Sequence, residues 1–99
     1  MISFEELSRR SNATGVTFVF TELDVALSFL RIAESRSPQD RLRLYTDADK
    51  AIRTALHSVE RLTLSRVEAV RFQKMSTRAM AALQQFHSRW FPSLPPFQK

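Results

Sequence analysis

From Val16 onward the chain falls into three stretches whose apolar residues recur every three or four positions. Val16, Phe20, Leu23, Leu27 and Leu30 are spaced four, three, four and three, the signature of one helix face. Within Thr21–Ser35, Leu23, Ala26, Leu27, Leu30 and Ala33 share one side, and Val25, Phe29 and Ile32 share the adjoining side. Asp24, Ser28, Arg31 and Glu34 are confined to what is left. An apolar arc of roughly half the circumference exceeds the ~100° stripe of a surface helix, so this helix should be covered on two sides. Val16–Phe20 is β-branched and aromatic, yet a lone strand would have nothing to pair with. The spacing therefore predicts a first helix near 16–35, with Thr21 as the alternative N-cap.

Ser37-Pro38-Gln39-Asp40 is a start signal: serine accepts from orphan N–H groups, and proline at the first position sacrifices no useful donor. The second helix, near 38–61, carries Tyr45, Ala48, Ile52, Ala55, Leu56 and Val59 on one stripe. Asp49 and Arg53 read as an i, i+4 pair on its polar side. Ser65 with Glu68 forms a capping box for a third helix near 66–90. Its seam runs Phe72, Met75, Ala79, Leu83, Phe86 and Trp90, and Pro92 stops it. The tail contains Pro92-Ser-Leu-Pro95, a PxxP match that reads first as a helix stop. Ahead of these helices, Ser3 and Glu6 form another capping-box start, followed by Ser11-Asn12-Ala13-Thr14-Gly15, which reads as a break.

The fold expected is an all-α, antiparallel three-helix bundle, with a short extra N-terminal helix as an option. It divides into an N-terminal segment (1–15), a bundle (16–91) and a Pro-rich tail (92–99). Leu23, Leu27, Leu30, Tyr45, Ile52, Leu56, Val59, Phe72, Leu83 and Phe86 form the expected core. One glycine among 99 residues leaves little punctuation for a sheet. The absence of cysteine removes disulfides and thiolate chemistry. No apolar run approaches the ~20 residues of a membrane span, and no leader pattern is present, so a cytoplasmic protein is expected.

Charge changes the picture in one place. Residues 61–99 carry seven Lys or Arg against Glu68 alone. Arg71, Lys74, Arg78, Gln85 and Arg89 share a face of the third helix about 110° from its seam, with Arg66 nearby. A solvated helix face is the plain reading; an anion or nucleic-acid surface is the functional one. No helix-turn-helix spacing or interleaved exposed aromatic supports the latter.

The remaining chemistry is thin. Neither His57 nor His87 has a His, Asp or Glu four residues on, so no helical metal pair forms. Asp47 and Asp49 point about 200° apart, which removes a shared acid/base site. Gly15 alone builds neither a phosphate cradle nor an oxyanion turn. No enzyme, cofactor, metal or small-molecule substrate is expected.

ELDVALSFLRIAES together with DADKAIRTALHSVERL resembles short bacterial helical-bundle proteins of unassigned function, over residues 22–62. The resemblance implies a hairpin of the first two helices and no activity.

The expected function is thus a non-catalytic protein–protein interaction or scaffold module. It follows from the second side of the first helix, Val25, Phe29 and Ile32. Burying each such side chain is worth roughly 1.5–3 kcal/mol. The occupant expected is a second copy, giving a homodimer centred on Phe29, or another helical protein. The competing cover is a lid made by Ile2, Phe4 and Leu7.

Overall fold

A computed structural model describes residues 3–94 and contains three α-helices among them: α1 (Phe4–Ala33), α2 (Pro38–Ser58) and α3 (Arg66–Trp90). A single 3-10 turn, Val59–Arg61, tightens the end of α2. Each helix begins where a serine can cap it. Ser3 Oγ accepts from the Glu6 amide at 3.1 Å, and Ser37 Oγ from the Asp40 amide at 3.4 Å. Ser65 and Glu68 complete a reciprocal box at 3.1 and 2.9 Å. Short connections force α2 antiparallel to both neighbours, so the chain is an all-α three-helix bundle.

The expected break at Ser11–Gly15 is absent. α1 runs unbroken through it for 30 residues, about 45 Å at 1.5 Å per residue. Neither a separate N-terminal helix nor a helix start at Thr21 occurs. The polar and glycine residues that suggested a turn instead serve tertiary contacts. Asn12 Nδ2 donates to the Thr63 carbonyl at 2.9 Å, and the Thr63 amide donates to Asn12 Oδ1 at 2.8 Å. At Gly15 a Cβ would stand 2.5 Å from Leu62 Cδ2, so the glycine leaves the space that the Leu62 side chain occupies against α1. Below that crossing, the first two turns of α1 project past the bundle, and Phe4 and Leu7 are exposed.

α1 packs more extensively on α2 than on α3. Small side chains explain this: Ala26 and Ala33 on α1 and Ala48, Ala51 and Ala55 on α2 are all buried, and alanines let two helix backbones approach closely. α3 leans on that pair with larger side chains. Phe86 is buried, and Phe72, Met75, Leu83 and Trp90 are partly so against the same cluster. Of the expected core, Leu23, Leu30, Tyr45, Ile52 and Phe86 are buried, and Leu27, Leu56, Val59, Phe72 and Leu83 pack against it.

The end formed by the α1–α2 turn and the end of α3 is aromatic. Tyr45 stacks on Phe86 at 5.8 Å between centroids and meets Phe91 at 5.2 Å. Arg41 closes it from above. Its guanidinium donates to the Ala33 and Arg36 carbonyls at 3.3 and 2.8 Å and lies 3.8 Å over the Trp90 ring. One side chain therefore terminates α1, belongs to α2 and roofs α3.

Candidate functional site

Two surfaces carry the residues singled out by the sequence. The first is the basic face of α3, where Arg66, Arg71, Lys74, Arg78 and Arg89 are all exposed. Two of the five are engaged within the chain. Arg71 lies 4.6 Å over the Phe20 ring, which in turn meets Phe72 edge-on at 6.3 Å. Arg89 pairs with Glu34 Oε1 at 3.3 Å and lies 5.2 Å from the Trp90 ring. These two cations help seat α3 on α1. Arg66, Lys74 and Arg78 remain as a sparser row of charge, with exposed Val67 beside it.

The second surface is the outer side of α1. Val25 and Phe29 are half-buried, and Phe29 packs against the core cluster. The open surface therefore does not centre on Phe29. It is longer, running the length of the helix through Phe4 (84% exposed), Leu7 (52%), Phe18 (44%) and Ile32 (42%). The lid expected from Phe4 and Leu7 does not form: Phe4 and Phe29 sit on one straight helix, about 37 Å apart. Ile2 lies outside the described residues, as does Pro95 of the PxxP match.

Beside this stripe, where α1 meets the end of α2, lies a shallow depression. Ser8, Ser11, Gly15 and Phe18 line it on α1, with Ser58 and Leu62 across from them. His57, at its edge, is exposed, with Nδ1 3.8 Å from Glu60 Oε2.

Asp49, expected on the polar side of α2, is instead buried, whereas its partner Arg53 is exposed. Asp49 is only 7% exposed, and its Oδ2 is 3.0 Å from Arg53 Nε. It follows Tyr45 by one turn and precedes Arg53 by one, and the carboxylate is covered while the Arg53 side chain, half exposed, still reaches solvent. Burial pushes the Asp49 carboxyl up, and Arg53 offsets part of that rise. Burial, with Asp49 next in importance, pushes the Tyr45 phenol up to about 12. Asp47 is exposed on the far side of the helix, so the two carboxylates share no site. His87 is tilted over Tyr45 at 5.9 Å. Among the described residues no group of three or more His, Asp or Glu could hold a metal ion. No described helix is long and apolar enough to cross a membrane.

Comparison with protein-family models, with curated proteins and with solved structures returned no match to this chain.

Proposed function

We propose that the chain is a non-catalytic helical interaction module that self-associates through the outer side of α1. The observation that carries this reading is the row Phe4, Leu7, Phe18 and Ile32, large apolar side chains exposed along a single helix whose adjoining side is already in the core. Four large apolar side chains aligned on one side of a single helix fit a docking surface better than residues scattered around it do. An isolated chain also leaves the first two turns of α1 without tertiary support.

Sedimentation velocity at rising concentration tests it. The wild type should shift from about one chain mass to two, and Phe18→Asp should stay monomeric with unchanged helix content. Phe18 is the cleaner probe, because aspartate at Phe29 would also disturb the core cluster. A wild type that sediments as a monomer at high concentration defeats the reading. The basic face of α3 does not favour a nucleic-acid partner to the same degree, since Arg71 and Arg89 are turned to intramolecular contacts. Salt-sensitive retention on immobilised nucleic acid, lost in Lys74→Glu with Arg78→Glu, would reverse that preference.

A further inference from the structure

The depression between α1 and the end of α2 has ionised groups of one sign in its lining. It encloses about 1000 Å³, and its walls include Arg9 on α1 and Arg61 at the end of the 3-10 turn. His57 stands at the rim, and among the described residues no aspartate or glutamate lines it. Both arginines are exposed, and among the described residues neither side chain makes an ion pair or a hydrogen bond. Carboxylates are close in sequence. Glu5 stands one turn before Arg9 without pairing with it, and Glu60, beside Arg61, lies 3.8 Å from His57 instead. Unpaired cations also occur on α3, but Arg66, Lys74 and Arg78 stand on a single convex helix. Arg9 and Arg61 come from two elements and border one concavity, where charges of one sign between apolar walls reinforce each other.

The same depression is rich in unused donors. Ser8, next to Arg9, and Ser58, three residues before Arg61, both line it. Among the described residues their hydroxyls make no hydrogen bond, whereas Thr17, Thr46 and Thr54 each donate to the carbonyl four residues back, at 3.1, 2.9 and 2.9 Å. The wall opposite α1 is held in place beforehand, by the two bonds between Asn12 and Thr63 and by Leu62 against Gly15.

Two guanidiniums with two hydroxyls select an anion that has several acceptor oxygens. A phosphate monoester offers three, with about two negative charges at neutral pH, whereas a carboxylate offers two oxygens and one charge. A phosphate group alone would occupy a small part of the space, which is at the upper end of the ~300–1,000 Å³ typical of sites for organic ligands. Leu62 and Phe18 give the lining an apolar end.

We propose that this depression binds an organic phosphate monoester, with the phosphate held by Arg9 and Arg61 and the organic body lying towards Leu62 and Phe18. The site is separate from the self-association proposed above, and either can fail without the other.

Phenyl phosphate is the probe, titrated at low salt into the isotope-labelled full chain and followed by amide chemical shifts. The shifts should saturate and should centre on residues 8–12 and 58–63. Arg9→Gln and Arg61→Gln should each weaken binding several-fold, with helix content unchanged by circular dichroism. Lys74→Gln and Arg78→Gln remove the same charge from α3 and should leave binding as it was. Equal weakening by both pairs of variants would mean diffuse attraction to a chain of net charge +5, and would overturn the proposal. Shifts that never saturate would overturn it too, as would phenol binding as tightly as phenyl phosphate. Inorganic phosphate should bind several-fold more weakly than phenyl phosphate. Equal affinity for the two would overturn the assignment of an organic body.

Discussion

The two ends of the bundle are held by different physics. At the α1–α2 turn, the rings of Tyr45, Phe86, Trp90 and Phe91 pack against one another under Arg41. At the α2–α3 connection, one asparagine amide grips the backbone of Thr63, and Leu62 lies over a glycine. Aromatic burial contributes several kcal/mol per residue. A neutral hydrogen bond near solvent contributes about 0.5–1.5 kcal/mol. The aromatic end therefore carries stability, whereas the other end carries geometry. The aromatic end turns its rings inward, whereas at the other end Phe4 and Leu7 stay on the outside of α1.

The contrast is broken most severely by Phe86→Ala, expected to cost about 3–5 kcal/mol. Leu23→Ala, in the fully buried middle of α1, should cost about 2–5 kcal/mol. Urea unfolding followed by circular dichroism measures both, and a loss below about 1 kcal/mol at Phe86 would mean that the aromatic end is not the anchor.

Asp49 tests the region between the two ends. Because burial raises its folded-state value, the folded chain holds a proton that the unfolded chain has already released. Stability from this group is complete below the unfolded value near 3.9 and is lost as pH rises through the raised folded one. Asp49→Asn removes that slope. The urea midpoint of the variant relative to wild type should climb as pH rises from about 4, with a constant offset for the weakened bond to Arg53. A relative midpoint that stays flat over this range would mean that the carboxylate is solvated.

The smallest effect belongs to the polar end. Asn12→Ala removes both bonds to Thr63 and should cost about 1 kcal/mol. It should also speed hydrogen exchange at the Thr63 amide, leaving amides near Phe86 as slow as before. Equal acceleration at both ends would show that they open together.

Much of this fold was legible because helix periodicity and serine caps are local signals. Ser37, Ser65 and the seam from Phe72 to Trp90 needed nothing outside their own segments. The break expected at Ser11–Gly15 went wrong for the opposite reason. Asn12 and Gly15 answer to Thr63 and Leu62, which lie about fifty residues further along the chain, and a local reading assigns such residues to turns. Asp49 is not legible as a buried residue because the covered arc of α2 is wider than its apolar stripe and takes in a carboxylate next to Tyr45. The outer surface of α1 was half visible. Val25, Phe29 and Ile32 stand out in the sequence, but Phe4, Leu7 and Phe18 join that side only because the helix is continuous. On α3, composition showed the cations and could not show Arg71 lying over Phe20.

Trp90 is the single tryptophan of the chain, and the guanidinium of Arg41 covers its face at 3.8 Å. Its fluorescence is therefore a local thermometer for the aromatic end. Emission would shift when that end opens and stay silent while the first turns of α1 fray, whereas circular dichroism weighs every helical residue. Melting curves from the two signals should separate, with ellipticity falling first, so a single midpoint read by emission alone would overstate how much of the helix is intact.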